Sequence, residues 1–153
     1  MNILQNVNIQ SCEDNTYFEH VIQGIQHMKL DAQELKPTEF LIALLNHQTL
    51  LGFGRLREYP SAFEICSVGV FEPFRNKGIG KKIIQALLEK KFTSTQVEQS
   101  EKDIYIVTII PNYFAKIGFH ITPNFPSEIA KKWHYCTTQL QVQEPYVVMK
   151  FNR

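Results

Sequence analysis

The residues best placed to do chemistry lie in one short segment, Arg75-Asn76-Lys77-Gly78-Ile79-Gly80-Lys81. Two glycines one residue apart let a backbone bend with its N–H groups facing outward. The apolar run AFEICSVGVF precedes the segment, and Ile79, Ile83, Ile84, Leu87 and Leu88 follow at helical spacing. A turn between a strand and a helix adds the unpaired amides and the positive dipole end of the first helical turn, and such a turn binds a phosphate. Arg75, Lys77, Lys81 and Lys82 bring four cationic groups to that point. That is more than one phosphate needs and suits a pyrophosphate with a further phosphate nearby. The spacing is neither G-x-x-x-x-G-K-[ST] nor a complete G-x-G-x-x-G, so both familiar nucleotide loops fail.

Other chemistry-bearing residues are more scattered. Arg55 and Arg57 fall on one face of a strand by the period of two, and a guanidinium is suited to gripping a substrate carboxylate; the same spacing also fits a solvated strand face. His20, His27, His47, His120 and His134 show no H-x-x-x-H spacing, and Cys12, Cys66 and Cys136 form no C-x-x-C pair. Neither a metal site nor a disulfide framework is predicted, and the cysteines read as small buried apolar residues.

The elements that must position these groups follow from hydrophobic period and from Gly/Pro punctuation. A short strand is predicted around Val7 to Ile9, then a helix capped by Ser11 or Asp14 in which Phe18, Val21, Ile22 and Ile25 share a face. FLIALLN and TLLGFGRLR read as a β-hairpin across Asn46, His47 and Gln48, and AFEICSVGVF as the next strand. After the Ile79 helix, the polar stretch TSTQVEQSEKD leads to the strand DIYIVTII. Pro111 opens a short helix that Gly118 ends in a left-handed cap. A helix from Ser127 to about His134 and a last strand, YVVMKF, complete the order. The length of 153 residues, 44% hydrophobic, fits one domain over residues 1–153. With 16 Lys+Arg against 15 Asp+Glu, the formal charge of +1 gives no reason to expect nucleic acid or an anionic membrane as partner. No apolar run approaches the roughly 20 residues of a membrane span, and MNILQNVNIQ lacks the form of a signal peptide, so a cytoplasmic protein is expected.

The strand–turn–helix segment resembles the acetyl-CoA-binding signature of the Gcn5-related N-acetyltransferase family, R/Q-x-x-G-x-G/A, met by Arg75, Gly78 and Gly80. About thirty residues on, the family carries a strand and a short helix ending in Gly-Phe; IYIVTIIPNYFAKIGF has that form, closing on Gly118 and Phe119. The resemblance covers roughly residues 38 to 121. It implies an α/β fold of α+β type, with a mixed, mostly antiparallel twisted sheet whose central parallel strands splay apart, flanked by helices. It also implies acetyl-CoA as co-substrate, no metal, a small-molecule amine as the partner, and a homodimer as one assembly.

By the same resemblance, Val68, Gly69 and Val70 supply backbone groups to the pantetheine arm. Arg75, Asn76, Lys77, Gly78, Ile79, Gly80 and Lys81 hold the pyrophosphate, and Asn112 and Phe114 border the cofactor. Glu64 matches a glutamate that deprotonates the substrate amine in some members, often through water. It lies six residues before Val70, about 20 Å along an ideal strand, so it can reach the reacting end but not the phosphates. Many members place a proton-donating tyrosine where this chain has Phe114. That departure leaves Thr108 and Tyr113 as neighbours of the leaving thiolate, as in members resembling N-acetylglutamate synthase. Acetylation of a small-molecule amine, of a protein N-terminus or of a lysine are the enzymatic readings; an acyl-CoA-binding module without turnover is the reading of another class.

Overall fold

The hairpin written as FLIALLN and TLLGFGRLR closes on Asn46 and His47, both left-handed with φ of 51° and 61°. The Gln48 amide returns to the Leu45 carbonyl at 3.0 Å. Two successive positive φ values give the primed turn whose twist matches that of the flanking strands. In the computed structural model, which describes residues 3–13, 15–94, 102–140 and 142–152, this hairpin is β2 (Phe40–Leu45) and β3 (Thr49–Glu58). Before it come a 3-10 turn (Ile3–Asn6), β1 (Val7–Ser11) and α1 (Asn15–His27). After it come β4 (Ala62–Val70), α2 (Ile79–Ser94), β5 (Asp103–Thr108), α3 (Pro111–Ala115), β6 (Phe119–Ile121), α4 (Ser127–Gln139) and β7 (Val147–Phe151). The seven strands take the order β1-β2-β3-β4-β5-β7-β6. The β4–β5 ladder is parallel, while β1–β2, β2–β3, β5–β7 and β6–β7 are antiparallel.

Contacts divide the chain into two units, Met1–Leu56 with Ser67–Ser94, and Arg57–Cys66 with Thr95–Arg153. In the first, Val21 and Ile25 of α1 pack on Phe40, Ile42 and Phe53, all fully buried. Each such side chain contributes about 2 kcal/mol of transfer free energy. Gly52 and Gly54 lie under α2: a Cβ at Gly54 would stand 2.7 Å from Ile83 and 2.9 Å from Leu87. The absent side chains let the helix that follows the phosphate turn lie directly on β3. In the second unit, Ala62, Tyr105, Ile129 and Val148 form the core. A run of rings, Phe114 to Phe119 at 5.8 Å and Phe119 to Phe151 at 5.2 Å, pins α3 to β6 and β7. Gly118 adopts φ +120°, the left-handed conformation expected of it.

Several boundaries differ from the sequence expectation. The helix expected to stop near His134 runs to Gln139, and β1 extends to Ser11. The three-residue strand β6 has no counterpart in the sequence reading, because Phe119–Ile121 is too short to show alternation. Asp14 and most of TSTQVEQSEKD lie outside the described residues. All three cysteines are buried thiols. Among the described residues no helix is long and apolar enough to cross a membrane.

Candidate active site

Ser67 interrupts β4 with φ +50°, a left-handed residue inside a strand that costs roughly 1–2 kcal/mol. Its hydroxyl donates to the Asp31 carbonyl at 2.8 Å, which offsets part of that cost. Beyond it Gly69 lies against α1's C-terminal end, where a Cβ would meet Met28 Sδ at 2.6 Å and Phe53 Cζ at 2.9 Å. Val68 and Val70 on either side are half-buried. The chain then leaves the strand through a 3-10 turn, Glu72–Phe74. Arg75 folds back to donate from Nε to the Val70 carbonyl at 2.8 Å. Asn76 at φ +64° and Gly78 at φ +85° make the bend, and Ile79 is buried as the anchor of α2. Gly78 supplies the first helical carbonyl, taking the Lys82 amide at 3.2 Å.

The charges around this turn are fewer than the sequence suggests. Arg75, Lys77 and Lys81 are exposed. Lys82 instead donates from Nζ to the carbonyls of Leu4 and Val7 at 3.3 and 3.2 Å, so it ties the start of the chain to α2 and does not face a ligand. Lys90 is half-buried, donates to the Thr38 carbonyl at 3.0 Å, and is lowered from the ordinary lysine value by that burial, against the pull of Glu39. Two clefts, of about 560 and 500 Å³, share His27, Phe71 and Pro73, and the second reaches Arg75.

In the other unit Glu64 is fully buried. Its Oε1 accepts from the Tyr59 hydroxyl at 2.8 Å and its Oε2 from the Lys132 ammonium at 2.5 Å. The parallel ladder pairs Ala62, Phe63 and Glu64 with Asp103, Ile104 and Tyr105, which makes Glu64 its last member. Burial, the Glu64 charge and the hydrogen bond to it push the Tyr59 hydroxyl far above the usual tyrosine range. Thr108 ends β5, nearly buried, its Oγ1 accepting from the Ile110 amide at 3.0 Å. Asn112 is exposed, and Tyr113 is 38% exposed with its hydroxyl raised by partial burial. Phe114 points inward, 5.1 Å from the Tyr113 ring and edge-on to Phe119. It is a core residue of the second unit.

The two arginines also part company. Arg55 is fully buried, donating to the Gln33 and Glu34 carbonyls at 2.8 Å each and to Glu39 at 2.8 and 3.1 Å. A guanidinium so placed holds the chain between α1 and β2. Arg57 lies over the Tyr59 ring, 5.2 Å from its centroid, and stays half-buried.

The model of a family described as the acetyltransferase (GNAT) family matches residues 7–119. The chain belongs to that family. An uncharacterized N-acetyltransferase of Chlorobaculum tepidum is 33% identical over 76 residues, 48% of this chain and 44% of that protein. Among solved structures, a Mycobacterium tuberculosis protein in complex with CoA is similar at TM-score 0.73 and 16% identity, covering 95% of this chain and 99% of that one. N-Acetylglutamate synthase from Neisseria gonorrhoeae, complexed with coenzyme A and L-arginine, is similar at TM-score 0.70 and 16% identity, covering 96% of this chain and 34% of that one. The chain thus spans less than half of the curated relative and about a third of the synthase. At such identities the structural likeness is one of fold.

Membership accounts for the turn at Arg75–Lys81, and the mixed sheet with its parallel β4–β5 pair is the family's fold. What sequence reasoning missed is the pair of partners around Glu64. Tyr59 sits in a turn and gives no periodic signal. Lys132 does give one: it falls between Ile129 and Cys136 on the buried face of α4, where a lysine must have an anionic partner.

Proposed function

We propose that this chain is an acetyl-CoA-dependent N-acetyltransferase acting on a primary amine of a small molecule, an amino acid being the favoured class. The observation that carries the reading is the turn at Arg75–Lys81. Left-handed Asn76 and Gly78 open onto the first amides of a 16-residue helix, with Arg75, Lys77 and Lys81 exposed around them. The CoA complexes of two proteins similar in fold support it.

In this reading the amides of the turn hold the pyrophosphate, and the backbone at Val68 to Val70 pairs with the pantetheine amides. Glu64 takes the proton of the substrate ammonium through a water, giving a neutral amine that attacks the thioester carbonyl. Phe114 cannot give a proton to the departing thiolate. Thr108 accepts from Ile110, which leaves its own O–H to donate. The demand is modest, since a thiol of pKa about 8.5 leaves far more readily than an alcohol. Arg57 is the arginine retained as a substrate contact.

Calorimetric titration with acetyl-CoA tests the reading. Saturable binding is expected, and Gly80→Val should weaken it at least tenfold by putting a branched side chain between phosphate and backbone. Unchanged affinity in a folded Gly80→Val protein defeats the assignment. A screen of amino acids, polyamines and peptides for acetyl-CoA-dependent thiol release then names the acceptor class, and thiol release only from peptides or lysine side chains would replace the small-molecule reading.

A further inference from the structure

Lys132 is 5% exposed and lies on the face of α4 that also carries Ile129 and Cys136. Nothing in helix formation requires a lysine there. Replacing a buried ion pair by apolar residues of similar volume is commonly neutral or stabilising, because the pair must offset the desolvation of two charges. A fold that keeps Glu64 and Lys132 together under Tyr59 therefore retains an arrangement that stability alone does not favour. The arrangement is also directional: Tyr59 takes one carboxylate oxygen, Lys132 the other, and the carboxylate stands on the last pair of the β4–β5 ladder.

We propose that Lys132 is the positioning residue for Glu64, supplying the counter-charge and the second hydrogen bond that hold the buried carboxylate in one orientation. The proposal rests on the reading of Glu64 as the base. In the step it serves, R–NH3+ gives one proton to the carboxylate through water and becomes R–NH2. The amine nitrogen forms the new bond to the acetyl carbon, the C–S bond breaks, and the carboxyl returns its proton to solvent or to the CoA thiolate. Lys132 holds Oε2 throughout, so the carboxylate keeps its orientation from one turnover to the next.

The other charged and titratable groups of this region leave that role to Lys132. Tyr59 stays protonated, held neutral by burial and by Glu64's own charge. Arg57 lies over the Tyr59 ring. Tyr105, the ladder partner of Glu64, is raised by burial and by Asp103, and Lys150 opposite it on β7 is paired with Asp103 at 3.2 Å. Tyr146, which feels Lys132, Cys136 and Glu144, is raised by its own burial.

The experiment compares pH profiles of kcat/KM, using acetyl-CoA and the amine that releases most thiol in the screen above. Lys132→Met should lower the rate at pH 7 at least tenfold, leave the acetyl-CoA Kd unchanged, and move the acid limb of the profile upward by about one pH unit or more, since the carboxylate then lacks its counter-charge. In a Glu64→Gln background the same substitution should change the rate less than twofold. Should Lys132→Met fail to fold, Lys132→Gln keeps a donor without the charge and should show the same displaced limb. An acid limb that stays in place, or an equal further loss in the Glu64→Gln background, overturns the role of Lys132. If Glu64→Gln is itself fully active at every pH, the reading of Glu64 as the base fails instead, which separates the two outcomes.

Discussion

Arg55 and Glu64 are both fully buried charges, each met by an opposite charge and by further hydrogen bonds, yet the two centres are built for different ends. Arg55 spends its guanidinium on the Gln33 and Glu34 carbonyls and on Glu39, whose side chain is 18% exposed. A guanidinium never loses its proton in a protein, so this centre carries no proton chemistry and holds backbone in place. At the second centre the Tyr59 hydroxyl is pushed far above its usual range by burial and by the Glu64 charge. Burial alone thus does not separate a structural charge from a chemical one. What differs is the central group: a guanidinium held by two carbonyls and Glu39 in the first case, a carboxylate held by the Tyr59 hydroxyl and the Lys132 ammonium in the second.

The contrast is most exposed to a test at Arg55. Arg55→Met should cost about 3 kcal/mol in urea denaturation, because two carbonyls and the Glu39 carboxylate lose their donors, while kcat/KM per folded molecule stays within about twofold. A raised KM with unchanged stability would return Arg55 to the substrate. Next in size, Glu64→Gln should reduce turnover roughly a hundredfold at neutral pH, about 2.7 kcal/mol of barrier. That loss should shrink as the amine becomes neutral by itself at high pH; full activity throughout would make both centres structural. The smallest effect concerns Tyr59, raised by burial and by the Glu64 charge. A hydroxyl whose folded-state pKa lies above the unfolded value near 10 contributes stability that is complete below pH 10 and is lost as pH rises further. A thermal-melt series from pH 8 to 11.5 should therefore show an alkaline fall that is shallower in Tyr59→Phe.

The turn at Arg75–Lys81 and the element order could be read from the sequence because each is written in neighbouring residues. Asn46 and His47 mark the hairpin, Gly78 the bend, Gly118 the cap, and the Ile79–Leu88 stripe the helix behind the turn. What escaped depends on partners far away in the chain. The period of two put Arg55 and Arg57 on one face but is silent on Glu39 and on the carbonyls at Gln33 and Glu34 that claim one of them. Glu64 could be singled out by its place in the strand, whereas its partner Lys132 lies 68 residues away. Phe114 was distinguishable from a tyrosine, but its inward packing on Phe119 is a property of the ring cluster and not of its position in α3.

Lys82 draws one more consequence, for the order in which the molecule assembles. Its ammonium meets carbonyls 78 and 75 residues earlier in the chain, at Leu4 and Val7. A contact of that span closes a long loop before it returns any energy, and the closure cost grows as the logarithm of the loop length. The bend at Gly78 and the first turn of α2 can form early from local residues, but the fastening that steadies them waits for Leu4 and Val7, 78 and 75 residues earlier, to come back. Seven consecutive residues specify the turn, and its clamp is supplied by the other end of a folding event.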